Sequence, residues 1–540
     1  MGLPIQRVAH DVGPTDHDAR ALPRPWASTL CGAAAIALIG FVVGFRPIFD
    51  MDFHWHLAAG RVDLAGKLAE DHDPFTHLPI VRSVDLGCRA GDLLFALVDR
   101  AAGLRGVRIL CALGLAALYL QAFRLGVART GTLAAGAVAA ALVAALSFER
   151  VQHRPDLFVP LFVFLLVHWL WQGPGWNSAA KIFALSALWA NFHGSSPLAP
   201  ALALLAAVSA GPAGWRHLGS VLAASAGICM RPHGPLFTFH LVRETAAIAY
   251  LSPEWHALWN LGVDDFPSAV HFAGVWVRFG IVLGIVLWGA MATTPEGGPQ
   301  RADAANERRS DAGRKNTAKS LLSGLMAVVP IGMASTSFRL FYLMGLSVFW
   351  SLERRAKDLR ASPRLRAGMI VMASLLFILF PLRDRWRAAA RARAAGLSVW
   401  GDLDTPSFPV AAAAYLEAHD LRGNLFSPPE WGGYLACELT PRYRIAFDGR
   451  VQLYGRELAA ELLEFVDARR RPDLVERFAL EILVLPAGTL ANEIGSGFPL
   501  ADLDTQQRWL RVQENGTSEV FVDRRGPNWE HNRLVLRNEQ

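Results

Sequence analysis

Apolar windows of about 15–20 residues recur from position 27 to position 382, and no other feature constrains the fold as much. A bilayer core about 30 Å thick is crossed by about 20 helical residues. Inside lipid, backbone polar groups must be satisfied within the segment, which favours helices. The windows lie near 27–45, 106–125, 131–147, 157–172, 180–193, 197–212, 217–230, 270–291, 320–335, 338–352 and 366–382; together they make about eleven candidate spans. Composition excludes a soluble bundle. Hydrophobic residues make up 52% of the chain and charged residues 19%, where about 25% charged is usual. Too little polar surface remains to cover so many adjacent apolar helices. The expected fold class is an α-helical polytopic membrane protein.

The first window, ASTLCGAAAIALIGFVVGF, follows a tail with Arg7, Arg20 and Arg24. No small-x-small cleavage pattern comes after it, so it reads as an uncleaved first helix. The net charge of +6 fits basic cytoplasmic loops, and no nucleic-acid partner is expected. Of the five cysteines, Cys31, Cys111 and Cys229 lie in apolar windows as packing residues. Cys88 and Cys437 are isolated, and no CxxC or zinc spacing occurs.

Lys and Arg collect in cytoplasmic loops. Residues 292–319 hold Arg301, Arg308, Arg309, Arg314, Lys315 and Lys319, and residues 353–366 hold Arg354, Arg355, Lys357, Arg360, Arg364 and Arg366. Both loops are expected in the cytoplasm. Counting spans from them leaves the N-terminus cytoplasmic and the C-terminal portion outside. Arginines in the first outer loop, and Arg383, Arg385 and Arg387 after the last window, count against this. The expected organisation is a cytoplasmic tail (1–26), a membrane domain (27–392) with a first outer loop (46–105) and a cytoplasmic linker (292–319), and an extracytoplasmic mixed α/β domain (395–540). In that last part a helix is expected at 408–419 and another near 456–469. Strands are expected at NLF, YRIAF, EILVLP and SEVFVD.

This topology sorts the polar motifs to one face. Asp50, Asp52, Glu149, His153, Arg154, Asp156, His193, Arg231, His233, Glu254, His256 and Arg339 all fall outside. A transporter places such residues near the midplane between repeated halves, and no internal repeat is seen. The densest motif is DMDFHWHLAAGR, residues 50–61. In a helix, Asp52 and His56 lie four apart on one face, and Asp50 and His54 form a second such pair. In an extended chain all four share one face. Such a set can act as a general base or bind a divalent cation, Mg or Mn, through Asp50, Asp52 and His56. Alternatively Asp50 caps a helix and Trp55 anchors at the interface. Further along, Trp431 and Tyr434 form either an aromatic platform for a sugar or a core. Asp448-Gly449-Arg450 is either a binding loop or a turn with its own ion pair. Asn515-Gly516-Thr517 matches a glycosylation sequon.

DMDFHWHLAAGR followed by DHDPFTH resembles the first outer loop of bacterial polytopic proteins of the GT-C glycosyltransferase superfamily. Their pattern is Asp-x-Asp-x-x-Trp-His-Leu-x-x-Gly-Arg and then Asp-Pro-Phe. HRPDLFVPLF, LWANFHGSS, MRPHGPLF, SPEWHALW, SFRLFYLMGL and EWGGYLACELTPRYRIAFDGRVQLYG follow in order, so the resemblance covers most of residues 45–455. It implies a transferase of the bacterial inner membrane. Such an enzyme moves a sugar from a polyprenyl-phosphate donor to a glycan, lipid or protein acceptor at the outer face. It also implies a catalytic acid at Asp52 or Asp50, with Asp52 first because its spacing to His56 matches the recurrent core. Arg231, Arg154 and Arg339 are the candidate phosphate cations, since guanidinium matches phosphate geometry. His56, His54, His193, His233, Glu254, Trp431, Asp448 and Arg450 complete the expected substrate-binding set. Two features depart from the pattern. His54 stands where tryptophan is usual, and RSVDLGCRAGDLL lacks an acidic His-Glu-Trp-like element. The alternatives are a non-catalytic protein of envelope polysaccharide assembly and a lipid or glycan transporter.

Overall fold

The computed structural model describes residues 25–67, 73–80, 88–231, 234, 256–265, 268–291, 324–325, 327–335, 337–394, 398, 401, 403, 407–466, 472–488 and 508–537. Its first part is helical: α1 (Pro25–Gly44), α2 (Met51–Leu64), α3 (Arg89–Thr130), α4 (Leu133–Leu146), α5 (Val159–Gln172), α6 (Trp176–Phe192), α7 (Leu198–Ser209), α8 (Leu218–Ile228), α9 (Ala269–Ala290), α10 (Met344–Arg354), α11 (Ala356–Ala361), α12 (Pro363–Phe377) and α13 (Arg383–Ala394). Among the described residues, five helical stretches are long and apolar enough to cross a membrane: Ala27–Gly44, Arg89–Thr130, Pro155–Gln172, Ala269–Ala290 and Pro363–Ala394. The chain is a multi-pass membrane protein. The other expected windows also fall on helices, but shorter ones, such as Leu133–Leu146 and Leu198–Ser209. Of the 320–335 window only part is described, and it is helical.

Local sequence explains where these helices stop. Gly131 takes a left-handed φ of 74° at the end of α3, a conformation glycine adopts without a Cβ penalty. Thr132 then caps α4 by accepting from the Ala135 N–H. Gly103, at φ 65°, interrupts α3, so its membrane part begins after that kink. The 27 residues Leu104–Thr130 rise roughly 40 Å as helix, enough for a bilayer core. Leu113, Leu283, Leu287, Val371 and Leu375 stay exposed on the helix flanks, as lipid-facing side chains do.

The rest of the chain carries α14 (Val410–Ala418), α15 (Pro429–Leu439), α16 (Val451–Val466), α17 (Pro472–Arg477) and α18 (Trp529–Arg537) around four strands, β1 (Asn424–Phe426), β2 (Leu480–Pro486), β3 (Trp509–Glu514) and β4 (Ser518–Asp523). The strand order is β1-β2-β4-β3. β1 pairs parallel with β2, and β4 runs antiparallel to β2 and β3. The expected strand at YRIAF does not form. Ile445 makes only an isolated bridge to Leu425, because its N–H is taken by the Phe75 carbonyl at 2.7 Å. PEWGGYLACEL, read only as a motif, is helix α15, and WLRVQE is a strand with no expectation attached to it.

Several ties join this part to the first loop. Besides the Ile445–Phe75 bond, Ile48 bridges Leu403; the first loop is also tied to α13, where Arg46 Nη1 lies 2.9 Å from Asp384 Oδ2. Arg385 is buried. The arginine run after the last window therefore sits at the same end of the bundle as the first loop.

Candidate functional site

The site grows from α2. Asp50 is its N-cap, accepting from the Asp52 N–H at 3.1 Å, which satisfies one of the first-turn donors. From Phe53 to Gly60 every residue is buried, whichever way it faces. Two partners cause this. On one side α3 approaches so closely that a Cβ at Gly60 would collide with the Asp92 carbonyl. On the other, α15 packs its Gly433 against Met51 O and Trp55 N, where a Cβ would stand at 3.1 and 3.3 Å. The small residues of EWGGY let the two helices touch.

Asp52 and His56 do not bond to each other; each has its own partner. Arg154 pairs through Nη1 with Asp52 Oδ2, and its Nε lies 3.4 Å from both Asp50 Oδ2 and Asp156 Oδ1. It also bonds Gln152, while Arg150 pairs with Asp156. One guanidinium thus sits among three carboxylates. The Asp52 side chain is 28% exposed and that of Asp50 5%, so Asp52 is the carboxylate of the pair that solvent or a substrate can reach. His56 Nδ1 lies 2.6 Å from Asp92 Oδ1, both groups buried. An ionised carboxylate only accepts, so Nδ1 carries the hydrogen and Nε2 the lone pair. Burial pushes the His56 pKa well down, and the positive fields of Arg154, His193 and Arg450 push it further.

The divalent-cation set does not converge. Asp50 and Asp52 are on Arg154 and His56 is on Asp92. Among the described residues no three His, Cys, Asp or Glu side chains are grouped to hold a metal ion.

His54 is packed as an aromatic. Its ring meets Phe408 and Tyr434 edge-on at centroid distances of 4.6 and 4.9 Å. Burial, and then Arg61, lower its pKa to about 3, so it is a neutral core ring. That explains how it can stand where tryptophan is usual. Trp431 is buried in the same cluster and donates to the Ser407 carbonyl at 3.2 Å. Neither ring offers a sugar an open face.

Asp448 and Arg450 are likewise enclosed. Arg450 Nη2 lies 2.6 Å from Asp448 Oδ2, and its Nη1 lies 2.5 Å from Asp73 Oδ2. Burial alone would raise the Asp73 pKa, but Arg450 and the N–H groups of Phe75 and Thr76 outweigh it and hold the carboxyl below its usual range. Between these two charges, Gly449 lies against the catalytic candidate: a Cβ there would collide with Asp52 Oδ1.

His193 Nδ1 accepts the Ser195 N–H at 3.1 Å. Arg231 is buried just beyond α8; Asn191 on α6 bonds the neighbouring Met230 carbonyl at 2.7 Å. Arg339 lies in the short 3₁₀ helix Phe338–Leu343. His233 and Glu254 lie outside the described residues. Sequence reasoning passed over Asp73 and Asp92 as site residues; Asp156 was named only among the outer-face polar groups, and Gly449 only within the Asp448-Gly449-Arg450 loop. A signal for Asp92 was a lone acid opening an apolar helix, in the stretch that lacks the usual acidic element.

The chain matches no protein-family model and no curated protein. Among solved structures it is similar to ArnT from Cupriavidus metallidurans bound to undecaprenyl phosphate. Identity there is 12%, with 92% of this chain and 98% of that one covered at a TM-score of 0.52. It is also similar to an Archaeoglobus fulgidus oligosaccharyltransferase tethered to an acceptor peptide, at 12% identity over 92% of this chain and 74% of that one, TM-score 0.51. At such identity the likeness is one of fold, and the fold is that of the GT-C glycosyltransferases.

Proposed function

We propose that this protein is a membrane glycosyltransferase that takes a sugar from a polyprenyl-phosphate donor and passes it to a glycan, lipid or protein acceptor. The reaction would take place at the outer face of a bacterial inner membrane. In this reading the chain crosses the membrane about eleven times, and residues 395–540 form an outer α/β domain. The observation that carries the proposal is Arg154 held among Asp50, Asp52 and Asp156 at the end of the bundle that the C-terminal part covers. Undecaprenyl phosphate bound to one of the fold neighbours supports the donor class.

In this reading the residues take the following roles. Asp50 caps α2 and is nearly buried, so its task is positional. Asp52 is the reachable carboxylate and acts as general base. In the resting state its charge is tied to Arg154. A donor phosphate competes for that guanidinium, whose planar fork suits phosphate oxygens, and arrival of the donor releases Asp52. The freed carboxylate takes the proton of an acceptor hydroxyl. The hydroxyl oxygen then attacks the anomeric carbon as the bond to the phosphate oxygen breaks. Polyprenyl phosphate leaves with the electron pair, and the configuration inverts.

The test is Asp52→Asn, an isosteric change, assayed for transfer from native polyprenyl-phosphate sugars. A general base contributes about 10²–10⁴-fold, so a rate loss of that size is expected with donor binding retained. Full activity would overturn the assignment and favour a non-catalytic role.

A further inference from the structure

Helix directions fix a second polar region at the other end of the bundle. α3 starts beside the site, with Asp92 on His56, and ends at Arg129. α5 begins just after Asp156 and ends past Trp171. α7 starts near His193 and ends at Ser209. Where they end, a cavity of about 320 Å³ is lined by Arg129, Trp171, Ser209, His217, Trp350 and Glu353, among others. That volume is within the range of small-molecule sites, roughly 300–1,000 Å³.

The lining offers one guanidinium, a hydroxyl and an imidazole as donors, beside one carboxylate, Glu353, with which an anion shares Arg129. Arg129 is fixed from two directions: Nη1 lies 3.1 Å from Glu353 Oε1, and the guanidinium stacks over Trp171 at 4.1 Å. Only one of its donor groups is taken by that ion pair. Ser209 Oγ and His217 Nδ1 are shielded from solvent with no hydrogen-bond partner among the described residues. Shielded polar groups are rarely left unsatisfied, and two of them in one cavity call for a shared partner. A guanidinium, a hydroxyl and an imidazole facing one space can all donate, and a phosphate supplies the matching acceptors. Outside the cavity, Trp176 and Trp215, on the segments that bound this end, are 92% and 73% exposed. Indoles in that setting sit at the headgroup level of a bilayer.

We propose that this cavity binds the phosphodiester headgroup of an anionic glycerophospholipid from the leaflet opposite the catalytic site. Phosphate oxygens bond to Arg129, Ser209 and His217, Trp171 and Trp350 wall the headgroup, and the acyl chains run down the apolar flank of α5 and α7. The site is separate from the sugar-transfer site and does not rest on that assignment.

The probe is phosphatidylglycerol, with phosphatidylcholine as the zwitterionic control, titrated into delipidated full-length protein and followed by native mass spectrometry. Wild type is expected to bind phosphatidylglycerol at least about tenfold more tightly than phosphatidylcholine. Arg129→Gln should erase that preference. Ser209→Leu, which fills the cavity and leaves the Arg129–Glu353 pair intact, should do the same while the lipid-free melting temperature stays near wild type. Should Arg129→Gln fail to fold, Ser209→Leu decides. Equal phosphatidylglycerol binding by wild type and Ser209→Leu overturns the proposal. So does complete displacement by inorganic phosphate at a concentration matching the lipid, which would make the site one for a free anion.

Discussion

At Asp50 and Asp52 two adjacent carboxylates of one motif take different tasks because one is an N-cap and the other is not. The spacing of DMDFHWH showed that acids and imidazoles could converge, and it left open which would. The structure separates them by partner, Asp52 to Arg154 and His56 to Asp92. Those partners lie 102 and 36 residues away, beyond the reach of any local pattern. Asp50→Ala is expected to cost about 1 kcal/mol as a lost cap, seen as a lowered melting temperature. Asp52→Asn should leave melting nearly unchanged while transfer falls. Gly449→Ala separates position from presence. The added methyl must push the Asp52 carboxylate aside, so transfer should drop at least about tenfold with the Asp52 side chain still there. An unchanged rate would remove Gly449 from the site. His54 gives a pH signature. In the unfolded chain it takes up a proton near 6.5, and in the folded protein only near about 3. Its contribution to stability is complete above 6.5 and declines as pH falls toward about 3. His54→Phe keeps the aromatic contacts and has no proton to gain. Its urea midpoint should therefore fall less than that of wild type on acidification across that window.

At the scale of elements, the apolar windows were legible because hydropathy over a membrane span depends only on local composition. Each window, among its described residues, lies on a helix. The length of a crossing was less legible, since α4 and α7 are shorter than a bilayer core and depend on neighbours. YRIAF has a strand's composition, but its backbone is claimed by the Phe75 carbonyl. Such tertiary capture overrides propensity. α15 hid behind its Gly pair, which lowers helix propensity and here permits close contact with α2. The Asp448-Gly449-Arg450 loop is an ion-pair clamp on the first loop through Asp73. Removing one partner leaves a buried charge uncompensated, and such losses are typically about 3–5 kcal/mol. Asp73→Asn should therefore unfold the covering part at lower temperature. With Asp73 intact, the clamp's contribution is present above the ordinary carboxylate pKa and is lost as pH falls through the depressed folded value. Acid should loosen wild type, and Asp73→Asn should show no such added transition. Limited proteolysis across a pH series reads both.

For the whole molecule, the parity of basic loops and the packing of the two polar ends address the same question independently. Loop charge put the first loop and the C-terminal part outside, against the arginines at 383–387. In the structure, Arg46 pairs with Asp384 and Arg385 is buried beside the first loop. Arg46 and Arg385 are thus used within one end of the bundle, so these two carry less weight as a topology signal. The helix directions then put Arg129, Trp176 and Trp215 at the opposite end. If the first loop is outside, Leu534 on α18 is outside as well, being 58% exposed, and Trp176 is in the cytoplasm. Leu534→Cys and Trp176→Cys, made singly, test this with a membrane-impermeant maleimide on intact cells. Cys88 and Cys111 are buried, the exposed Cys31 and Cys229 lie in apolar windows, and the half-buried Cys437 is replaced by Ser in both variants, so the remaining native thiols should give a low background. Labelling of Leu534→Cys in intact cells, and of Trp176→Cys only after the membrane is opened, is the expected result. The reverse pattern would turn the molecule over and place Asp52 on the cytoplasmic side, where the assigned donor geometry no longer holds.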